Sequence, residues 1–325
     1  MRHLSLSAAF AATIFVCPGT ALPQVPVFPG KPVQIIIAAV PGGSNEAEAR
    51  LYAQKLNENT GQQFIVDFKP GAGGTIAAAQ VAKAPPDGHT LLVVSPNFTV
   101  SPSVYKGLPY DTVKDLAAVT MLSKRPTVLM VHPSVPVKNA AEYFAHARAN
   151  PGVLNFGTTG NGSSPHMNGA WMHSSANVKV TFVHYKGTGS LMPDLLSGRV
   201  HATAISFLSS LPHIKAGRTR ALGISTSERS RLWPELPTIA EQGVAGFDYS
   251  SWLGIVTSGA TPGPVLARVH AEFAKAGKAP EIAKKLEPDF VQIVLSTPEQ
   301  FKLYIAEDVA RWRALVNEAG IQMEQ

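Results

Sequence analysis

The chain has 325 residues, of which 45% are hydrophobic and 15% charged, and a formal net charge of +6. That length exceeds one typical core and predicts two lobes, while the composition excludes a disordered or fibrous chain. The charge raises the local concentration of anions, but Lys and Arg are not clustered among aromatics as nucleic-acid binding requires: Lys124-Arg125 and Lys284-Lys285 stand as isolated pairs and read as solvated faces.

The first 21 residues read as a secretory signal. Arg2 and His3 open it, Leu4 to Val16 form an apolar run, and Gly19 and Ala21 suit the small positions before a cleavage site. The run is too short to span a bilayer, and no later stretch approaches the required length. Cys17, the single cysteine, falls inside this segment. Val16 precedes it where a lipoprotein signal has Gly or Ala, so a lipid anchor is not expected. Cleavage near Ala21 then leaves a mature chain with no disulfide, thiol nucleophile or thiolate metal site.

From Val33 onward, apolar strand-like runs alternate with helical stretches. VQIIIAAV (33–40) is apolar on both alternating faces, the pattern of a buried strand. The loop PGGSNE and a helix ending at Gly61 follow. QQFIVDF (62–68), the loop KPGAGG, an Ala-rich helix and the strand TLLVVS (90–95) continue the rhythm, which argues for α/β architecture with mostly parallel strands. PTVLMVHPSV (126–135) opens a second region in which LNFGTT, KVTFVHY, VHATAISFL and TRALGIST read as strands. SWLGIVTSG (251–259) is a further buried strand. In the last helix, Thr297 can cap with Gln300 as its reciprocal partner and Pro298 at the first position. The stripe Phe301, Tyr304, Ile305, Asp308, Trp312, Leu315 and Val316 falls at helical spacing and reads as core.

Twice a strand runs straight into a Gly/Ser/Thr-rich loop that opens a helix: IIIAAV-PGGSNE-AEAR and LNFG-TTGNGSSPH-MNGAW. Each exposes backbone N–H groups at a helix start beside small hydroxyls and an Asn, which is what a carboxylate or phosphate needs. An ordinary capped βα turn is the alternative for either loop. Nucleotide chemistry fails on detail: GTTGNGSS (157–164) has Ser163 at the lysine position of a P-loop, and PGAGGTIA (70–77) has Ile76 at the third glycine of a dinucleotide fingerprint. No GxSxG elbow is present. Ser163, Ser164 and His166 lie close in sequence but lack a third group for nucleophilic catalysis, so donation to a ligand oxygen is the simpler role. His166 and His173 share a helix face without a carboxylate partner, so neither a metal nor any other cofactor is expected. His184 and His201 read as structural.

At these loops the sequence resembles the Bug receptors, the extracytoplasmic solute-binding components of tripartite tricarboxylate transport systems. PGGSNEAEAR (41–50), PGAGG (70–74), AKAPPDGHTLL (82–92), LPYDTVKDLAAVT (108–120), ANPGVLNFGTTGNGSSPH (149–166), YKGTGSLMPDLLSGRV (185–200) and LPTIAEQG (236–243) carry the resemblance, which covers essentially the whole mature chain. It implies a type II-like periplasmic binding protein. Each lobe would be a mixed, mostly parallel sheet flanked by helices, and a two-strand hinge would join them. Lobe 1 would comprise residues 25–125 plus 247–325, and lobe 2 residues 126–246. It further implies a non-enzymatic monomer that binds a small carboxylate in the cleft, docks transiently on a membrane permease and works in the periplasm. The carboxylate would be gripped by Val40, Pro41, Gly42, Gly43, Ser44 and Asn45 from one side. From the other would come Thr158, Thr159, Gly160, Asn161, Gly162, Ser163, Ser164 and His166, with Ser95 and Tyr185 at the edges.

Three positions depart from the family pattern: Glu46 stands for a common Asp, and His184 for a Pro. Where amine-binding members often have Asp, the segment ATAISFLSS has Ile205 and Ser206. An ammonium buried against Ile205 would lack a counter-charge, so the expected ligand has no amine: a di- or tricarboxylate, a hydroxy acid or an aromatic acid. A sensor of the same ligands signalling to a membrane kinase, and an exported hydrolase using Ser163 or Ser164 with His166, are the other readings.

Overall fold

The structure, a computed structural model, describes residues 28–39, 41, 44–160 and 162–319; the predicted signal segment and Cys17 lie outside them. The chain begins with β1 (Val33–Ile37), α1 (Ser44–Thr60), β2 (Phe64–Phe68), α2 (Thr75–Ala82), β3 (Thr90–Val94) and α3 (Pro96–Val104). The long strand β4 (Leu116–Val131) leads to α4 (Ala140–Ala149), β5 (Asn155–Thr158), α5 (Ser164–Ser175) and β6 (Thr181–His184). Next come α6 (Thr188–Leu196), β7 (Ala202–Ser206), α7 (Phe207–Lys215) and β8 (Arg220–Ile224). The chain closes with β9 (Ser250–Ser258), α8 (Gly263–Gly277), α9 (Pro280–Leu286), β10 (Gln292–Ile293) and α10 (Pro298–Ala319).

The ten strands among the described residues form one sheet; eight follow the order β2-β1-β3-β9-β4-β7-β5-β6, and β8 and β10 branch from β4. β1 pairs in parallel with β2 and β3, and β5 with β6 and β7. These are the connections that crossover helices impose. β4 and β9 run antiparallel to each other from Leu116↔Ser258 to Pro126↔Ser250. Beyond Pro126, β4 leaves β9 and pairs with β7 and β8. One strand therefore serves both halves of the sheet. That is why the expected start of a new strand at residue 126 is replaced by a single 16-residue strand, nearly all of it buried.

Helices pack where their apolar spacing directs them. Ala49, Tyr52, Ala53 and Leu56 of α1 recur at three- and four-residue intervals and enter one core with Val33, Ile35, Leu91 and Val93. The second half has its own core, in which Leu129, Val131, Tyr143, Phe156 and Met167 meet. α10 starts with the expected capping box: the Thr297 N–H donates to Gln300 and the Gln300 N–H to the Thr297 hydroxyl. Phe301, Ile305 and Trp312 are fully buried, as the stripe predicts. Trp312 joins the second core and meets Trp171 of α5 edge-on at 6.2 Å. Three helices, α3, α7 and α9, are absent from the sequence reading. α3 and α7 both carry an internal proline, Pro102 and Pro212, and α7 takes over the end of the run read as a strand through Leu208.

Asp308 joins α10 to α3. Its buried carboxylate accepts from the Thr99 hydroxyl at 2.6 Å, the Trp312 indole at 3.1 Å and Arg311 at 3.0 Å. Asp308→Ala strands these donors and should destabilise the fold by roughly 2–4 kcal/mol in urea unfolding. Asp308→Asn, which keeps an acceptor for Thr99, should cost less.

Candidate functional site

The β4–β9 crossing is where the two donor-rich loops are fastened. On one side, Arg125 of β4 reaches α1. It is only 5% exposed, forms a close ion pair with the buried Glu48, and donates to the Asn45 side chain at 3.4 Å. Asp289 lies 3.6 Å from its Nε. Burial pushes the Glu48 carboxyl above the ordinary carboxylate range, and the Arg125 charge pulls it back. On the other side, the next β4 residue but one, Thr127, accepts from the Asn168 amide of α5 at 2.7 Å. Tyr249, just before β9, bonds the Ser164 hydroxyl at 2.6 Å and also donates to the Ser164 carbonyl. The first turns of α1 and α5 are thus held within a few residues of one point on the sheet.

The loop between β5 and α5 is built by local chemistry. Gly160 (φ 135°) and Gly162 (φ 69°) take backbone conformations that side chains resist. Ser163 is the N-cap of α5, its hydroxyl accepting from the His166 N–H. The His166 ring folds back so that Nδ1 accepts from the Gly162 N–H at 3.0 Å. Burial and neighbouring His184 lower the His166 pKa to about 4, so it is neutral, with its proton on Nε2. Thr158 contacts the His184 ring at 2.7 Å. The N–H groups of Thr159, Gly160 and Ser164 are left without a described partner at the positive end of α5. An anion is the natural occupant of that arrangement. The imidazole is not the partner of either serine hydroxyl.

Of the residues expected at the site, Val40, Gly42, Gly43 and Asn161 lie outside the described residues. Pro41 is exposed between them, Ser44 opens α1, and Asn45 is half-buried against Arg125. Ser95 is the N-cap of α3, close to the end of β3, and makes no side-chain capping bond. The Tyr185 hydroxyl donates to Asp194 at 2.8 Å. Ser206 caps α7 and reaches Ser209 at 3.3 Å. Ile205 is corrected: it is 3% exposed and packs with Met130, Leu191, Leu195 and Val200 in a separate apolar core. A side chain so placed does not face a ligand ammonium. Arg125 is corrected too, from a solvated surface charge to a buried ion-pair hub. A charged residue inside the apolar run LAAVTMLSKRPTVLMV was the signal available for it. His184, read as structural, sits 4.6 Å from the His166 ring. Tyr249 carried no sequence signal.

The fold is the mixed α/β architecture of two-lobed periplasmic binding proteins. Residues 48–321 match the sequence profile of the tripartite tricarboxylate transporter family receptor. The chain belongs to that family. It is 30% identical to Protein BugT of Bordetella pertussis over 326 residues, covering 99% of each chain. It superposes on R. palustris Rpa4515, solved with adipate, at a TM-score of 0.78 and 31% identity, covering 91% of this chain and 99% of that one. MatC of Rhodopseudomonas palustris, solved with malate, gives a TM-score of 0.75 at 27% identity, covering 89% of this chain and 100% of that one. No helix among the described residues is long and apolar enough to cross a membrane.

Two measurements test this geometry. Arg125→Ala leaves Glu48 buried without its counter-charge and should cost about 3–5 kcal/mol in urea unfolding. Replacing both partners with apolar residues should recover most of that loss. His166 titrates near 4 when folded and near the ordinary value when unfolded, so protonation favours the unfolded chain. Stability contributed by neutral His166 is therefore present above about pH 6.5 and lost toward pH 4, by up to about 1.4 kcal/mol per pH unit. His166→Asn should flatten that part of the stability–pH profile relative to the parent protein.

Proposed function

We propose that this protein is an exported, periplasmic receptor that captures a small carboxylate between its lobes and delivers it to a membrane permease. The observation that carries this is the fastening of two helix N-termini, α1 and α5, at one strand crossing. It gathers neutral donors and two positive helix ends without bringing in a reactive group. Family membership and the adipate and malate bound to the two R. palustris proteins support the carboxylate assignment. The change of partners on β4 at Pro126 supports lobe limits of 25–125 plus 247–325 and 126–246, with β4 and β9 as the hinge. A monomer, released by cleavage near Ala21 and docking in its closed form, completes the reading. It is not an enzyme: the Ser164 hydroxyl is engaged by Tyr249, and the His166 ring by Gly162.

A thermal-shift panel of malate, adipate, benzoate and glutamate tests it. An acid at a hundred times its Kd should stabilise the fold by about 2.7 kcal/mol. Absence of stabilisation by every acid overturns the proposal. The double variant Ser163→Ala/Ser164→Ala should lose about 1 kcal/mol with its cap yet remain folded, and bind at least tenfold more weakly. An unchanged affinity would place the anion elsewhere.

A further inference from the structure

A pocket of about 130 Å³ opens at the C-terminal ends of β1 and β3, beside the first turn of α1. Ile37, Val94 and Phe98 give it apolar wall, and Ser95, Asn97 and Tyr110 give it polar atoms; no Lys, Arg or His lines it. Tyr110 is only 8% exposed, and its hydroxyl bonds to no described residue. Ser95 likewise has a hydroxyl that is not spent on capping α3. Ala39 and Asn45 line the same space, and Asn45 is one of the residues the carboxylate reading invokes.

We propose that this pocket receives the uncharged tail of the bound acid, and that the protein therefore selects aromatic or short-chain monocarboxylic acids. The inference rests on the carboxylate reading above and adds the ligand class. Volume sets the size of the tail: an engineered apolar cavity of about 150 Å³ takes benzene, so a single ring or a chain of about five carbons suits this space. Charge sets its polarity. The wall offers the neutral donors Ser95, Asn97 and Tyr110 but no Lys, Arg or His, so a second carboxylate here would be met by fewer hydrogen bonds than its water shell supplies, whereas a ring or methylene chain gains by leaving water against Ile37, Val94 and Phe98. The Tyr110 hydroxyl, kept protonated because burial pushes its pKa up to about 12, remains a donor for a hydroxyl or carbonyl on the tail. On this account the preferences of this chain differ from the two dicarboxylates bound to the R. palustris proteins.

Isothermal titration of the purified protein with benzoate, hexanoate, malate and adipate decides the matter. Benzoate and hexanoate should bind at least tenfold more tightly than either dicarboxylate. Ala39→Phe, placed at an exposed position on the pocket wall, should weaken benzoate at least tenfold while leaving the unfolding midpoint unchanged; Ala39→Leu should do the same to a lesser degree. Malate or adipate binding as tightly as benzoate overturns the proposal and leaves the carboxylate receptor standing. So does benzoate affinity unchanged in both Ala39 variants. Failure of all four acids to bind removes the carboxylate reading itself, and the pocket assignment with it.

Discussion

The constraint on which the rest of the molecule turns is the buried guanidinium of Arg125. An arginine cannot shed its proton to escape burial, so its charge must be met where it lies, and three elements are drawn to it. Glu48 and Asn45 bring the start of α1; Asp289 brings the turn after α9. The second oxygen of Asp289 then accepts from the Leu208 N–H at the start of α7, and neighbouring Phe290 stacks on Phe207 at 4.1 Å and 12°. A single charge on the shared strand therefore fixes the loop-bearing helix of one half and reaches the other half through one carboxylate. Replacing it with apolar side chains is compatible with stability. What the ion cluster adds is direction: it sets where α1 begins.

α5 is fixed by a different chemistry. Asn168 on Thr127 and Tyr249 on Ser164 are neutral hydrogen bonds, each worth about 1 kcal/mol. His166, neutral and turned onto Gly162, organises the loop from within. A charged imidazole there would add a strong donor but would tie anion affinity to pH. The buried neutral ring makes the loop's shape independent of pH until strongly acidic conditions. The two helix starts are thus held unequally, α1 by charge and α5 by neutral hydrogen bonds.

Much of the fold was legible because it is local. β1 and β3 announce themselves as apolar runs, and the Thr297 capping box is written in four consecutive residues. The two glycine-rich loops were legible for the same reason, since Gly160 and Gly162 are needed by the turn itself. What escaped depends on distance along the chain or on competing signals. Pro102 and Pro212 disguised α3 and α7, although at an exposed or partly buried helix position a proline is tolerated when neighbouring packing holds the turn. Arg125 looked like a surface charge because its partners are 77 and 80 residues earlier. Ile205 was assigned to the cleft by the family pattern of its segment; its side chain points instead into the core formed with α6, as alternation along β7 permits.

The burial of Ile205 bears on how such a receptor would divide its work. On the proposed reading, donors at helix starts, backbone N–H groups together with the serine hydroxyls beside them, recognise the carboxylate common to many acids. The part of the ligand that differs between acids would then be read by side chains, and the pocket proposed for it lies among β1, β3 and α3, away from β7. If the carboxylate is held as proposed, exchanging pocket walls such as Phe98 or Tyr110 would change which tail fits, while Arg125 and Tyr249 keep the starts of α1 and α5 in place.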